Sequence, residues 1–151
     1  MTKKIFQSII IVAATVLLAS LTIILGVFYE YFGNIQKGQL TDELNLASVS
    51  VIKDGVDYLE HLQSDHYRLT WIDTDGTVLY DTETGNEELE NHKDRVEIKA
   101  AFENGVGEST RYSATLMEKT RYYAKRMEDG TVLRISAKYA TTGLLILGML
   151  Q

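Results

Sequence analysis

The sequence predicts an α+β fold: a transmembrane helix continuous with a long N-terminal helix, then a five-stranded antiparallel sheet with flanking helices. Three observations carry this reading. No charged residue occurs between Lys4 and Glu30. From Tyr67 onward the apolar pattern changes from a helical period to strict alternation. The five residues DGTVL occur twice, at 75–79 and 129–133, each time between strand-like runs.

The uncharged stretch Ile5–Tyr29 has 25 residues. As a helix it extends roughly 37 Å, against about 30 Å for a bilayer's hydrocarbon core. A cleaved signal peptide has an apolar core of only about 7–15 residues. Here LTIILGVFY continues past the small residues Ala19 and Ser20, so the stretch reads as an uncleaved anchor. Tyr29, Tyr31 and Phe32 suit the membrane interface, and Lys3 and Lys4 place the N-terminus in the cytoplasm. Without those two lysines the chain has 21 acids against 13 bases, which argues against a nucleic-acid partner. The absence of cysteine excludes disulfides, thiol chemistry and cysteine metal sites.

Residues 30–60 read as an extracytoplasmic helical segment. Ile35, Leu40, Leu44, Ala47 and Val51 fall near one helical face, and this face is expected to form a homodimer, with Leu40 and Leu44 as crosslinking positions. Asp54-Gly55 breaks the helix, and Asp57, Tyr58, Leu59 and Leu62 suit a short second one. YRLTWID and TVLYD form a hairpin around Asp75-Gly76, where glycine supplies the positive φ of a tight turn. TETGNEELENH (82–92) reads as an acidic loop. Asp94 then stands as N-cap of RVEIKAAFENG, with Glu97 at capping-box spacing and Val96, Ala100 and Phe102 packed inward. Strands follow at about 108–114, 119–127 and 131–138, the last two joined by Asp129-Gly130. Along the last strand Thr131, Leu133, Ile135 and Ala137 form an apolar face opposite a mixed one. The domain order is a cytoplasmic end (1–4), a membrane helix (5–29), the helical segment (30–60), a sheet domain (61–138) and the start of a second, truncated membrane helix (139–151).

The twin DGTVL reads as one turn device used twice. The flanks of the two copies differ, which excludes a duplicated domain. Asp73-Thr74-Asp75-Gly76 matches part of a calcium loop but lacks its remaining oxygen ligands. The acidic run Asp81, Glu83, Glu87, Glu88 and Glu90 could attract a hard divalent cation, though a solvated loop is the simpler reading. His61 and His66, near Asp65, lack a third metal ligand at a defined spacing, so no metal site is assigned. The pattern of a P-loop, an HExxH zinc helix or a nucleophile elbow is not present, no catalytic residue is assigned, and no cofactor is expected. Trp71 reads as core.

The stretches YRLTWIDTDGTVLYDT (67–82), ENHKDR (90–95), GESTRYSATLMEKTRYYA (107–124) and DGTVLRIS (129–136), in this order after a membrane anchor, resemble the N-terminal sensing region of membrane-bound sensor histidine kinases. The likeness is to the phosphate-regulon-sensor-like kinases of Gram-positive bacteria and their extracytoplasmic PAS-like, or single Cache-like, domain. It implies a signal-input module in the cell membrane, with catalytic kinase domains outside these 151 residues. It also implies a small-ligand pocket. Arg111, Tyr112, Arg121, Tyr122 and Tyr123, on adjacent strands, could line it, with His92 and Arg95 across from them, or could simply form the solvent-facing polar side of their strands; arginine's planar fork suits carboxylate or phosphate. His92 is not expected to accept phosphate, since it lies outside the cell. The expected partners are the bilayer, a second copy, and an unidentified small ligand or protein. The alternatives are the input domain of a chemoreceptor or cyclic-nucleotide enzyme, or a membrane-anchored adhesion or assembly protein.

Overall fold

The computed structural model describes residues 2–85, 89–113 and 118–140. It divides into two compact units, Met1–Gln39 and Leu40–Gln151. The first is helical throughout its described residues, as part of α1 (Thr2–Asp54), and its apolar side chains are exposed. α1 contains a stretch long and apolar enough to cross a membrane.

The second unit holds the rest of α1, a short α2 (Val56–His61), the strands β1 (Arg68–Ile72) and β2 (Val78–Asp81), α3 (Val96–Asn104), and the strands β3 (Val106–Ser113), β4 (Glu118–Arg126) and β5 (Val132–Ala140). The strands form one antiparallel sheet in the order β2-β1-β5-β4-β3, a PAS-like arrangement. The α+β class and five-stranded sheet are therefore as the sequence indicates. β5 is the central strand. It extends two residues beyond the expected domain end at 138, to Ala140; the rest of the expected second membrane helix, 141–151, lies outside the described residues.

Both faces of the sheet carry helices. On one face, Leu40, Leu44, Ala47 and Val51 of α1 pack with Leu59 on Leu69, Leu133, Ile135 and Tyr123, with Trp71 at the edge of this core. The 4-3-4 spacing of these α1 positions makes a single apolar stripe. This corrects the expected dimer surface. Leu40 and Leu44 are buried in their own chain, while Leu46, Val49 and Ile52 point outward. On the other face, Ile98 and Ala101 of α3 pack on Ile72, Ala124 and Val132.

The phase of α3 also differs from the expectation. Arg95 is the N-cap, no side chain caps it, and Asp94 is exposed. Val96 is 68% exposed, whereas Glu97 is completely buried. The helix begins one residue later than a capping box from Asp94 requires. Glu97 is therefore turned into the protein, where basic partners hold it.

The two DGTVL turns share one set of hydrogen bonds. The N–H of Thr77 donates to Asp75 Oδ1 (2.8 Å), and that of Thr131 to Asp129 Oδ1 (2.9 Å). The N–H of Asp73 donates to the Thr77 carbonyl (2.8 Å), and that of Met127 to the Thr131 carbonyl (2.7 Å). Gly76 and Gly130 have φ of 92° and 87°, a region that side chains disfavour. The strand entering the first turn, β1, lies beside the strand leaving the second, β5. The turns differ in what covers them. The His92 N–H donates to the Gly76 carbonyl (2.8 Å), and Asn91 Nδ2 to the Asp75 carbonyl (3.1 Å). A Cβ on Gly76 would collide with Asn91 and the Lys93 backbone, while one on Gly130 meets only Thr74 Cγ2 at 3.4 Å. Gly76→Ala is expected to cost about 3 kcal/mol, from positive φ plus overpacking. Gly130→Ala should cost about 1–2 kcal/mol, from φ alone. Equal losses in chemical denaturation would contradict the latch between this turn and residues 91–93.

Candidate functional site

Antiparallel register decides which strand residues share a face, because directly opposed side chains point the same way. On the α3 side three rows cross the sheet. One contains Asp81, Thr70, Arg134, Ala124 and Gly107; the next Arg68, Ser136, Tyr122 and Ser109; the third Lys138, Thr120 and Arg111. With nine residues, about 13 Å long, α3 covers only the apolar end of this face. Beyond its reach the polar rows line a pocket of about 610 Å³, bordered by His92 and Arg95 from the segment before α3.

Two buried carboxylates organise the floor. Asp81 is completely buried and accepts two bonds from Arg68 Nε (2.8 and 2.9 Å), one from the Thr70 hydroxyl (2.7 Å) and one from the Glu83 N–H (2.9 Å). Burial pushes its carboxyl up, but Arg68, Thr70 and the Glu83 N–H outweigh burial and hold it below the usual carboxylate range. Glu97 accepts from Ser109 Oγ (2.6 Å), Arg111 Nη2 (2.9 and 3.0 Å) and Arg134 Nη1 (3.4 Å). Burial raises its carboxyl too, and Ser109, its own N–H and the two arginines bring it below its ordinary value. Gly107 permits the approach of α3 to β3, since a Cβ there would collide with the Glu97 carbonyl.

Arg134, 5% exposed, connects the two acids: its Nη2 donates to Thr70 Oγ1 (3.0 Å), which in turn donates to Asp81. The Tyr122 ring lies beneath two guanidinium groups, with Arg111 Cζ at 4.2 Å and Arg134 Cζ at 5.3 Å from its centroid, within cation–π range. Among the described residues, Arg134 Nε and His92 Nδ1 are buried with no hydrogen-bond partner. His92 is 7% exposed. Burial, then the charges of Arg134 and Arg95, lower its imidazole to about 4, against weaker opposing pulls from Asp81 and Glu97.

Four of the seven residues picked out in the sequence line this pocket: His92, Arg95, Arg111 and Tyr122. Tyr112, Arg121 and Tyr123 do not. They are one residue out of phase with Arg111 and Tyr122, so their side chains project from the opposite face; Arg121 pairs across with Ala137, part of the core beneath α1. Arg68, Arg134, Asp81 and Glu97 were missed. A charged residue at position 134, on the mixed face of a strand that both hairpins flank, was the available signal. A central strand cannot leave an arginine unpaired without a large cost.

The acidic run is also divided. Arg68, from the adjacent strand, binds Asp81 and Glu83, so these two are not free for a cation. Glu90 lies 3.9 Å from Arg95, and positions 87 and 88 fall outside the described residues. No group of three or more potential metal ligands occurs among the described residues. The Asp73–Gly76 segment is a hairpin turn whose carboxylates bind neighbouring N–H groups.

No family model matches the sequence, and no curated protein sequence matches it. Among solved structures, the Bacillus subtilis YkuI protein, which has an EAL domain and was solved in complex with substrate c-di-GMP and calcium, aligns with TM-score 0.40 and 14% identity. The alignment covers 75% of this chain and 37% of that one. A likeness at this level carries no functional argument.

A histidine held neutral makes the domain acid-sensitive. The folded His92 value lies below the ordinary 6.5, so the unfolded chain binds the extra proton first. Its contribution is complete above pH 6.5 and falls progressively down to pH 4, by about 3 kcal/mol in total. Asp81 and Glu97, with lowered values, keep their contributions above the ordinary carboxylate values and start to lose them as pH falls through those values. Unfolding free energies measured from pH 7 to 4 should therefore fall more steeply in the native chain than in His92→Gln. Parallel curves would show that His92 is not held neutral.

Proposed function

We propose that residues 1–151 form the signal-input region of a membrane receptor, anchored through 5–29, with the sheet domain outside the cell and the N-terminus in the cytoplasm. The resemblance points more narrowly to a sensor histidine kinase of the phosphate-regulon-sensor-like type, whose catalytic domains lie beyond this segment. Such a segment binds and transmits; it performs no phosphoryl transfer itself.

One observation carries the reading. β5 faces the pocket with Arg134, Ser136 and Lys138, and faces the core beneath α1 with Leu133, Ile135 and Ala137. A stimulus that repositions β5 from the pocket side also repositions the surface on which Leu40, Leu44, Ala47 and Val51 rest. Interiors are close-packed, so such a shift moves between alternative packings rather than deforming smoothly. The stimulus must favour one packing, since equal affinity for both shifts nothing. A homodimer formed along α1 in this scheme uses Leu46, Val49 and Ile52, because Leu40 and Leu44 are occupied.

The test is a receptor graft. Residues 1–151 replace the input region of a sensor kinase that drives a reporter gene. Ser136→Phe, filling the pocket from its floor, should change reporter output several-fold, while the exposed Val96→Ser should not. Cysteine at Leu46 or Val49 should crosslink two chains in the same membranes, and cysteine at Leu40 should not. Unchanged output from a membrane-inserted Ser136→Phe graft would overturn the receptor reading.

A further inference from the structure

The pocket's paired charges neutralise one another. Arg68 is matched with Asp81 and Glu83, and Arg111 and Arg134 share Glu97. That leaves three positive and three negative groups in mutual contact. What remains over is mainly cationic. Lys138 has no hydrogen-bond or ion-pair partner among the described residues, and Arg95 approaches only the exposed Glu90, at 3.9 Å. Asp65, exposed at the rim, is the one opposing charge among the remaining lining residues. Deeper in, the Arg134 Nε–H has no acceptor among the described residues, and the side chain is only 5% exposed. Ser136 places a hydroxyl on the same face of β5, between Arg134 and Lys138. A buried N–H donor without an acceptor is costly in water-free surroundings. A cluster of donors and spare cations is the complement of an acceptor-rich anion.

We propose that this pocket binds a small carboxylate or phosphate anion through Arg95, Lys138, Ser136 and the Arg134 Nε–H, and that the anion enters together with a proton taken up by His92. The inference rests on the receptor reading and names the ligand class of that same site. His92 faces Arg134 of β5, Arg95 of its own segment, Asp81 of β2 and Glu97 of α3. Burial disfavours the charged ring most; both acids are already committed to arginines, so the two cations add to burial and the ring stays neutral. An anion seated between Arg95 and Arg134 cancels that field. It also accepts a hydrogen bond from the imidazolium, whose Nδ1 otherwise has no partner among the described residues. Protonation and anion binding therefore favour each other by linkage.

Titration calorimetry on the full chain in detergent micelles tests this with sulfate, a stand-in for phosphate, and with oxalate, both doubly charged from pH 5.5 to 7.5. At least one should bind, which also separates tetrahedral from dicarboxylate preference. Its Kd should be tenfold or more tighter at pH 5.5 than at 7.5, with net proton uptake seen as a buffer-dependent heat. Arg95→Gln and Lys138→Gln should each weaken binding about tenfold without changing the unliganded Tm. His92→Gln should remove the pH dependence. Absence of binding by both anions, or binding unaffected by Arg95→Gln and Lys138→Gln, overturns the site; an unchanged pH dependence in His92→Gln overturns the proton coupling. The titration needs no signalling output, so a failure here with a responsive graft leaves the receptor reading standing.

Discussion

The contact between Glu97 and Arg134 is the constraint around which the α3 side of the domain is arranged. Neither group could be buried alone, because an uncompensated charge in the interior costs several kcal/mol. Glu97 comes from the first turn of α3 and Arg134 from near the start of the central strand, so their pairing fixes where the helix sits on the sheet. Gly107 makes room for that approach, and Ser109 and Arg111 complete the shell around the carboxylate. Through Thr70 the same arginine is tied to Asp81 and thence to Arg68, so the network spans β2, β1, β5, α3 and β3.

A charged floor of this kind has a structural consequence. An apolar face would have drawn a longer helix over it, as α1 is drawn over the other side. Here the short α3 seals only Ile72, Ala124 and Val132, and the polar rows beyond it remain open as a pocket. β5 then serves two surfaces at once, polar toward the pocket and apolar toward α1. Buried ionic networks are weak contributors to stability but strong constraints on geometry, since removing any one partner strands the others.

Much of the framework was legible in the sequence because it follows from local rules. The two Asp-Gly turns, the alternation of Leu133, Ile135 and Ala137, and the break at Gly55 each depend on a few adjacent residues. The strand order was not: β1 pairs with β5 across 60 or more positions of chain, which no local pattern marks. Four pocket residues were found from arginine and aromatic chemistry, but a single-residue phase error included Tyr112, Arg121 and Tyr123 and passed over the polar floor. The floor was hidden for a physical reason. Arg134 and Glu97 are 37 positions apart, Arg111 and Glu97 14, and Arg68 and Asp81 13, so nothing local marks them as partners. A glutamate three residues after an aspartate at a helix start reads as a cap by spacing alone. Only tertiary contacts show that Glu97 is buried instead.

The central claim is that Glu97 and Arg134 act as a unit holding α3 to β5. A double-mutant cycle with Glu97→Gln and Arg134→Gln, followed by chemical denaturation at pH 7, tests it most directly. Each single substitution is expected to cost about 3–5 kcal/mol, because it strands the other charge. The double substitution should cost little more than either alone, which corresponds to a coupling above about 2 kcal/mol. Additive losses, with coupling near zero, would contradict the account and show that the two residues are held independently by their other neighbours.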